Sequence, residues 1–357
     1  MALLTISEMD KRIGEFAKTK LINSPTPFHK LENLTLELKG PKIYMKRDDL
    51  TGLAFGGNKS RKLEYIIQDA LDKEADVILT WASVQSNWCL QTAAAARKFG
   101  MKPMIILFKT DELPDEYDGN LLLNFILDAD IRMREGKRGQ VVSEEDAYEA
   151  IAELAHEAKE RGYNPYIAPI GGSMVGGSME YPLGAISYVD AFGELLKQAE
   201  SLKIEIDYLI HASGSGGTQA GLVVGAKALK ENIKVLGISV SGEKDSYGDD
   251  VLTIAQDTVK VLNLDLKISR EDIIIFDEYI KDGYGILNKE VADAIRLVAV
   301  REGVMLDPSY TGKAAVALLD LIKKGYFKKE DNVVFFHTGG TPALFPHKND
   351  LVNFLKP

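Results

Sequence analysis

Apolar runs of strand length alternate along this chain with longer segments of helical period, and few folds satisfy that alternation. A parallel sheet needs a crossover between each pair of strands, and an amphipathic helix is the connection that also covers the sheet's face. Residues 43–46, 77–81, 104–108, 166–169, 208–211, 235–240 and 333–336 read as strands, and 60–73, 91–99, 144–161 and 182–198 as helices. The expected class is therefore α/β. Several β-α units fall on each side of the glycine-rich stretch 171–177, where the chain is expected to cross between two domains. Its 357 residues, 45% of them hydrophobic, supply enough apolar mass for two cores. The acidic segment 111–118 reads as a solvated loop.

A net charge of −10, with no block of Lys and Arg, argues against nucleic acid as a partner, because binding a phosphate backbone needs clustered cations. Charged residues interrupt positions 1–20 before a secretory apolar region could form, and no later run is long and apolar enough to span a bilayer. A cytoplasmic protein without a membrane segment is the expectation. The single cysteine, Cys89, has no internal partner, so burial must hold the fold. Within Trp88-Cys89-Leu90 it reads as packing rather than as a nucleophile. The histidines are scattered singly, without His-Glu-x-x-His or paired Cys/His spacing, so no metal site is expected.

Three loops carry candidate chemistry. In Phe55-Gly56-Gly57-Asn58-Lys59-Ser60-Arg61-Lys62-Leu63-Glu64 a lysine follows a glycine turn and opens an amphipathic helix. A phosphate-loop NTPase needs an unbroken Gly-Lys-Ser, and Asn58 interrupts it. Lys59 can reach a cofactor aldehyde from there, while the glycines let the backbone approach closely. A plain surface turn would carry the same residues. The second loop, His211-Ala212-Ser213-Gly214-Ser215-Gly216-Gly217-Thr218-Gln219-Ala220-Gly221, follows an apolar strand and precedes a helix. Consecutive N–H groups at a helix N-terminus suit a phosphate dianion, which implicates Gly214, Ser215, Gly216, Gly217 and Thr218. Counting from Gly214, the sixth position is Gln219, where the dinucleotide fingerprint needs Gly or Ala; a monophosphate cofactor fits better. A tight turn without ligand is the alternative. An aspartate at Gly216 or Gly217 is expected to oppose the phosphate. The third loop, Ser83-Val84-Gln85-Ser86-Asn87, offers either ordinary N-cap residues or a helix N-terminus for a substrate carboxylate. Leu306-Asp307-Pro308-Ser309-Tyr310-Thr311-Gly312-Lys313 and Phe336-His337-Thr338-Gly339-Gly340 are polar ends of apolar segments, each a loop when taken alone.

Taken together and in this order, the motifs resemble the D-cysteine desulfhydrases and 1-aminocyclopropane-1-carboxylate deaminases, within the tryptophan-synthase-β-like pyridoxal phosphate enzymes of fold type II. The likeness runs from Ser24-Pro25-Thr26-Pro27 and Lys46-Arg47-Asp48-Asp49-Leu50-Thr51 to the end of the chain. Gly56-Gly57-Asn58-Lys59, Gln85-Ser86-Asn87, Tyr310-Thr311-Gly312-Lys313 and His337-Thr338-Gly339-Gly340 carry it. It implies two α/β domains with open twisted sheets, a smaller one at 61–169 inserted into a larger one at 1–60 and 170–357, and a homodimer. The implied cofactor is pyridoxal 5'-phosphate, joined to Lys59 as a Schiff base. Asn87 would bond its ring hydroxyl, residues 214–218 would cradle its phosphate with Lys62 nearby, and Thr338 would face its pyridine nitrogen. Ser86 would meet the substrate carboxylate, while Asn87, Trp88, Tyr284, Tyr310 and Thr311 would line the substrate side. Lys59, Ser86, Tyr284 and Tyr310 are the implied catalytic groups.

The reaction implied is α,β-elimination from a small β-substituted amino acid, D-cysteine giving pyruvate, ammonia and sulfide. Ring-opening deamination is the alternative, and a non-catalytic small-molecule binding protein a further one. In the cyclopropane deaminases the position resembling Thr311 carries Glu, which pairs with the pyridine nitrogen, and the position resembling Thr338 is apolar. Here both are hydroxyls, as in the desulfhydrase branch, which suits a substituent that departs readily. Many relatives place a small Gly or Ala pair before Gln-Ser-Asn, and His or Gln after it. This chain has Trp81-Ala82-Ser83 and Trp88, two indoles that either reshape the pocket or fill core beneath the cofactor.

Overall fold

A computed structural model describes residues 3–110, 117–142, 144–230 and 232–356; most of the acidic loop expected at 111–118 lies outside the described residues. The strands are β1 Phe28–Lys30, β2 Lys42–Arg47, β3 Val77–Ser83, β4 Lys102–Lys109, β5 Asp130–Glu135, β6 Pro165–Ile167, β7 Tyr208–Ser213, β8 Lys234–Ser239, β9 Ile274–Phe276 and β10 Asn332–His337. The helices are α1 Ile6–Ile13, α2 Glu32–Leu38, α3 Asn58–Asp72, α4 Asn87–Lys98, α5 Gly119–Ile126, α6 Glu144–Glu160, α7 Leu183–Ser201, α8 Gly217–Leu229, α9 Lys244–Val261, α10 Lys289–Glu302, α11 Thr311–Lys323 and α12 Lys348–Leu355. The fold is α/β.

All seven expected strands form, and their spacing is what makes their central residues inaccessible on both faces. Three further strands are present. The edge strand β5 alternates Ile131 and Met133 with Asp130, Arg132, Arg134 and Glu135, so it has no apolar run to betray it. The strands β1 and β9 have only three residues each, too few for a periodic signal. The helix expected at 91–99 begins earlier, at Asn87, because the Ser86 hydroxyl accepts the N–H groups of Trp88 and Cys89 and caps it.

The strands separate into two sheets. The larger runs in the order β1-β2-β10-β7-β8-β9 and is parallel except for β1 against β2. The smaller runs β5-β4-β3-β6 and is parallel throughout. We propose that they mark the two domains, 61–169 inserted between 1–60 and 170–357, a division supported by every strand of the smaller sheet lying between Val77 and Ile167. Alternation along β10 divides the apolar interior: Val333 and Phe335 face the core under α10 and α11, Val334 and Phe336 the core under α7 and α8. That second core also takes in Ile78, Ala82, Ile105 and Leu107 of the smaller sheet, so one apolar body joins both.

A buried charge network crosses the same junction. The Arg61 guanidinium in α3 donates to both oxygens of Asp48 and to both of Glu194 in α7. The Lys46 ammonium in β2 donates to Glu194 Oε1 at 2.5 Å, to Gln198 Oε1 and to the Thr26 carbonyl. Burial opposes ionisation of Glu194, but Arg61 and Lys46 outweigh it and hold that carboxyl down at about 2. Removing one member strands the others. Glu194→Gln is expected to lower unfolding free energy by about 3 kcal/mol at neutral pH in urea titrations. A depressed folded-state pKa stabilises above the ordinary value of 4.5 and ceases to as pH falls toward about 2, so the deficit should shrink over that interval.

Candidate active site

The site lies where β7, β10 and β3 end, the position at which open α/β sheets leave a crevice for a ligand. Its anchor is a backbone contact. Gly57, at φ 136°, bridges to Gly339, and the Asn58 N–H donates to the Thr338 carbonyl. A Cβ on Gly57 would stand 2.6 Å from Gln91 Nε2 and 3.1 Å from the Thr338 carbonyl oxygen, so only glycine permits the approach. The turn delivers Lys59 into the first turn of α3, where its side chain lines the cavity. Burial pushes the Lys59 ammonium down to about 8, which leaves a sizeable uncharged fraction at neutral pH.

One turn further along α3, Lys62 is wholly buried, and among the described residues its Nζ has no hydrogen-bond partner. It stands 5.9 Å from the centre of the Tyr188 ring, and burial together with the neighbouring Lys59 charge holds its pKa well below the ordinary lysine value. Lys62 itself does not line the cavity. Beneath the loop, burial and the Lys62 charge push His211 down to about 4 against the bond to the Ala212 carbonyl, so this ring is neutral.

The loop after β7 supplies Gly214, Ser215, Gly216 and Thr218 to the cavity wall, with α8 starting at Gly217. Gly217 is not on the wall. Its N–H is taken by the Ser173 hydroxyl at 3.1 Å and by the Ser215 carbonyl, and a Cβ there would meet Ser173 Oγ at 2.6 Å. Gly216 has φ 79°, and its Cβ would point at Ile254 and Val251 of α9. The expected clash of an aspartate with phosphate at these two positions is thus corrected: its carboxylate would meet Ser173 or the apolar face of α9.

Around the α4 terminus, Asn87 and Trp88 line the cavity, while Ser86 does not. The Ser86 hydroxyl caps the helix. Asn120 Nδ2 donates to Asn87 Oδ1 at 2.9 Å, which leaves the Asn87 amide hydrogens for the cavity. Trp88 is held by donation from its Nε1 to Thr80 Oγ1, which in turn donates to the Ala168 carbonyl. Trp81 points to the other face of β3, into the core under α6, so one indole borders the cavity and not two.

On the remaining wall stand Tyr310 and Thr338. Tyr310 and Tyr284 share a hydroxyl contact of 2.6 Å, and Tyr284 meets Ser83 Oγ at 3.1 Å. Burial and then the Tyr284 side chain push the Tyr310 phenol far up, so it is a proton donor at neutral pH. Thr311 is buried off the cavity: its hydroxyl donates to Asp307 Oδ1 at 2.7 Å and accepts the Asp307 N–H. Asp307 also accepts the N–H groups of Ser309, Tyr310 and Thr311, so its carboxylate organises the start of α11. Sequence reasoning passed over Asn58, Ser213 and Gly339, which line the cavity, and Ser83 and Ser173, which brace it. Asn58 had a signal, since it interrupts a Gly-Lys pair without explanation; its Nδ2 donates to Thr218 Oγ1 and so ties the two loops.

Residues 19–339 match the family described as pyridoxal-phosphate dependent enzymes. The chain belongs to that family. A protein of Pyrococcus furiosus provisionally named a 1-aminocyclopropane-1-carboxylate deaminase is 39% identical over 349 residues, 96% of this chain and 98% of the relative. The D-cysteine desulfhydrase of Klebsiella pneumoniae is 38% identical over 340 residues, 94% and 98% of the two chains. The crystal structure of an ACC deaminase homologue superposes with a TM-score of 0.87 at 36% identity, covering 98% of this chain and 99% of that one.

The site of this pyridoxal-phosphate enzyme suits its cofactor. Lys59 offers an amine of lowered pKa, the 214–218 loop lines the cavity at the start of α8, and Lys62 is a buried lysine whose Nζ has, among the described residues, no hydrogen-bond partner to stabilise its charge. Only the uncharged amine attacks an aldehyde, so cofactor capture by the apoprotein is expected to quicken as pH rises through about 8. Borohydride trapping and peptide mapping should place the cofactor on Lys59, and label on Lys62 would refute the assignment. For Lys62 the folded-state pKa is depressed, so below 10.5 the unfolded chain binds the extra proton and stability rises with pH. Lys62→Met is expected to flatten that slope and raise apoprotein stability by about 1–3 kcal/mol while weakening cofactor binding, as melts with and without cofactor will show.

Proposed function

We propose that the protein is a lyase that carries out α,β-elimination on a small β-substituted amino acid, with D-cysteine the leading substrate and pyruvate, ammonia and sulfide the products. One observation carries the reading: among the described residues, the cavity wall holds Lys59, the Tyr310 phenol, amides and hydroxyls, and no carboxylate. Pyridoxal phosphate, when bound, supplies an electron sink that acidifies the substrate Cα–H. Lys59, once displaced by the substrate amine, is the base that takes that proton. Tyr310 is the acid that protonates the departing β-substituent, a role supported by its neutral phenol on the cavity wall. The N-terminus of α4, with Asn87 at its first position, is where the substrate carboxylate would be held, Ser86 acting there through its cap. Thr338 would stand at the pyridine nitrogen.

Two groups of this reading act at one remove. Tyr284 supports Tyr310 from behind, and Thr311 acts through Asp307 rather than on substrate. The hydroxyl pair that separates the branches thereby reduces to Thr338. A hydroxyl there deepens the electron sink less than a carboxylate would, which favours substrates whose β-substituent leaves easily. We take the protein to be cytoplasmic and homodimeric as part of the same reading. Its one thiol, Cys89, is buried and pushed by that burial up to about 12, as befits a packing residue and a disulfide-free fold.

Ring-opening deamination is the second reading, favoured by the name of the Pyrococcus furiosus relative. Keto-acid release, measured side by side, separates the two. Pyruvate from D-cysteine and β-chloro-D-alanine is expected, with 2-oxobutyrate from 1-aminocyclopropane-1-carboxylate slower by about a hundredfold or more. Rapid 2-oxobutyrate with the β-substituted alanines inert would overturn the proposal, and no turnover of any of them would leave only the fold relationship standing.

A further inference from the structure

Asn87, at the start of α4, brings a carboxamide to the cavity wall, and a carboxamide can present either a donor or an acceptor there. The choice is made by Asn120, in the first turn of α5. Asn120 is wholly buried and clasps Gln85, two residues ahead of Asn87, by two bonds. Its backbone N–H donates to Gln85 Oε1 at 2.8 Å, and its Nδ2 donates to the Gln85 carbonyl at 2.7 Å. The second hydrogen on that Nδ2 goes to Asn87 Oδ1 at 2.9 Å. Gln85 Nε2 closes the ring by donating to the carbonyl of Asp118, which caps α5.

Each of the two asparagine amides can be turned over, which gives four arrangements, and only one satisfies its neighbours. The Gln85 carbonyl is a backbone oxygen that can only accept, so the Asn120 atom beside it must be the nitrogen. Turning Asn120 alone would set its oxygen against that carbonyl and against Asn87 Oδ1. Turning both amides restores the bond between the two asparagines but leaves two oxygens opposed at the Gln85 carbonyl. Turning Asn87 alone would bring one NH2 group against the other. In the arrangement that remains, Asn87 Oδ1 faces Asn120 and Asn87 Nδ2 is left for the cavity. Asn120 holds it there at a cost, since among the described residues its own buried Oδ1 has no partner. A residue kept for packing alone would avoid that cost.

We infer that Asn120 is a positioning residue that fixes Asn87 as a hydrogen-bond donor toward the ring oxygen of the bound cofactor. This rests on the reading that Asn87 meets that oxygen, and it is independent of which substrate bond the enzyme breaks. A donor there favours the ionised oxygen, whereas an acceptor would favour the ring hydroxyl. Asn120 does not itself line the cavity, so its effect passes through Asn87.

A double-mutant cycle on the holoenzyme tests that dependence. Two readouts serve: cofactor affinity, and the share of cofactor that absorbs in the visible, as the ionised ring oxygen does, rather than in the near ultraviolet. Asn87→Ala is expected to weaken cofactor binding about tenfold and to shift absorbance toward the near ultraviolet. Asn120→Leu keeps the side chain's bulk and removes its donors. It is expected to do nearly as much alone, and to add less than about twofold in the Asn87→Ala background. Effects that multiply overturn the inference, as does an Asn120→Leu protein that melts earlier but binds and absorbs like wild type. Neutron diffraction from the deuterated wild-type protein needs no variant to fold. Deuterium is expected on the Asn87 atom that faces the cavity, and deuterium on the atom that faces Asn120 overturns the inference. Should Asn87→Ala leave both readouts unchanged, the placement of Asn87 at the ring oxygen fails and the inference with it, while the neutron density still shows whether Asn120 sets the amide.

Discussion

The contact of Gly57 with Gly339 is the constraint on which the rest of the site depends. It is a backbone approach that no side chain tolerates: a Cβ on Gly339 would sit 2.7 Å from Gly57 Cα. The end of β10 and the start of α3 are thereby fixed together, although they come from opposite ends of the chain. Gln91 of α4 completes the clamp, donating from Nε2 to the Gly56 carbonyl and accepting from the Ser60 hydroxyl. Thus one turn links both sheets through their helices. Lys59 inherits its position from that clamp, which is why a flexible side chain can serve at a defined point.

Buried cations divide by whether the fold gives them partners. Lys46 and Arg61 meet Glu194 and Asp48 with well-formed hydrogen bonds and hold the scaffold. Lys313 donates to the carbonyls of Ile280 and Gly283 and so holds the segment that carries Tyr284; burial pushes it down to about 8. Among the described residues Lys62 has neither anion nor carbonyl as a hydrogen-bond partner. A cation left unpaired in an apolar interior destabilises the chain, and such a residue persists when a ligand supplies the missing charge. Stability and cofactor binding are thus opposed at Lys62, whereas Lys46 serves the scaffold alone.

The architecture was legible in the sequence because the period of apolar residues encodes it locally. The seven strands and the glycine turns needed nothing beyond neighbouring residues to be recognised. What escaped depends on partners distant in the chain. Whether Gly217 faces ligand was decided by Ser173, and whether Thr311 faces ligand by Asp307. Trp81 and Trp88 look alike in the sequence, but strand alternation sends one to the core under α6 while the helix start brings the other to the cavity. Ser83 looked like any residue ahead of a helix, and only the return of the chain at Tyr284 gives its hydroxyl a partner. The residue types were readable; the directions of their side chains were not.

Those directions add up to a field. Four helices present their first turns to the cavity: α3 through Asn58 and Lys59, α4 through Asn87 and Trp88, α8 through Thr218, and α11 behind Tyr310. Each N-terminus contributes the positive end of its helix dipole, the equivalent of about half a positive charge, although Ser86 caps α4 and Asp307 takes the first N–H groups of α11. Lys59 on the wall and Lys62 behind it add to the same sign when protonated, a state that burial opposes at both. The carboxylate of Asp307, turned into α11 and saturated by backbone N–H groups, offsets that helix's contribution and leaves those of α3, α4 and α8. A site so arranged favours anions, and both a phosphate dianion and a substrate carboxylate supply them. The same field disfavours an ammonium, so an amino acid's nitrogen enters most readily as the free amine. That is the form able to displace Lys59, so the electrostatics that hold the anionic groups also prepare the nitrogen for reaction.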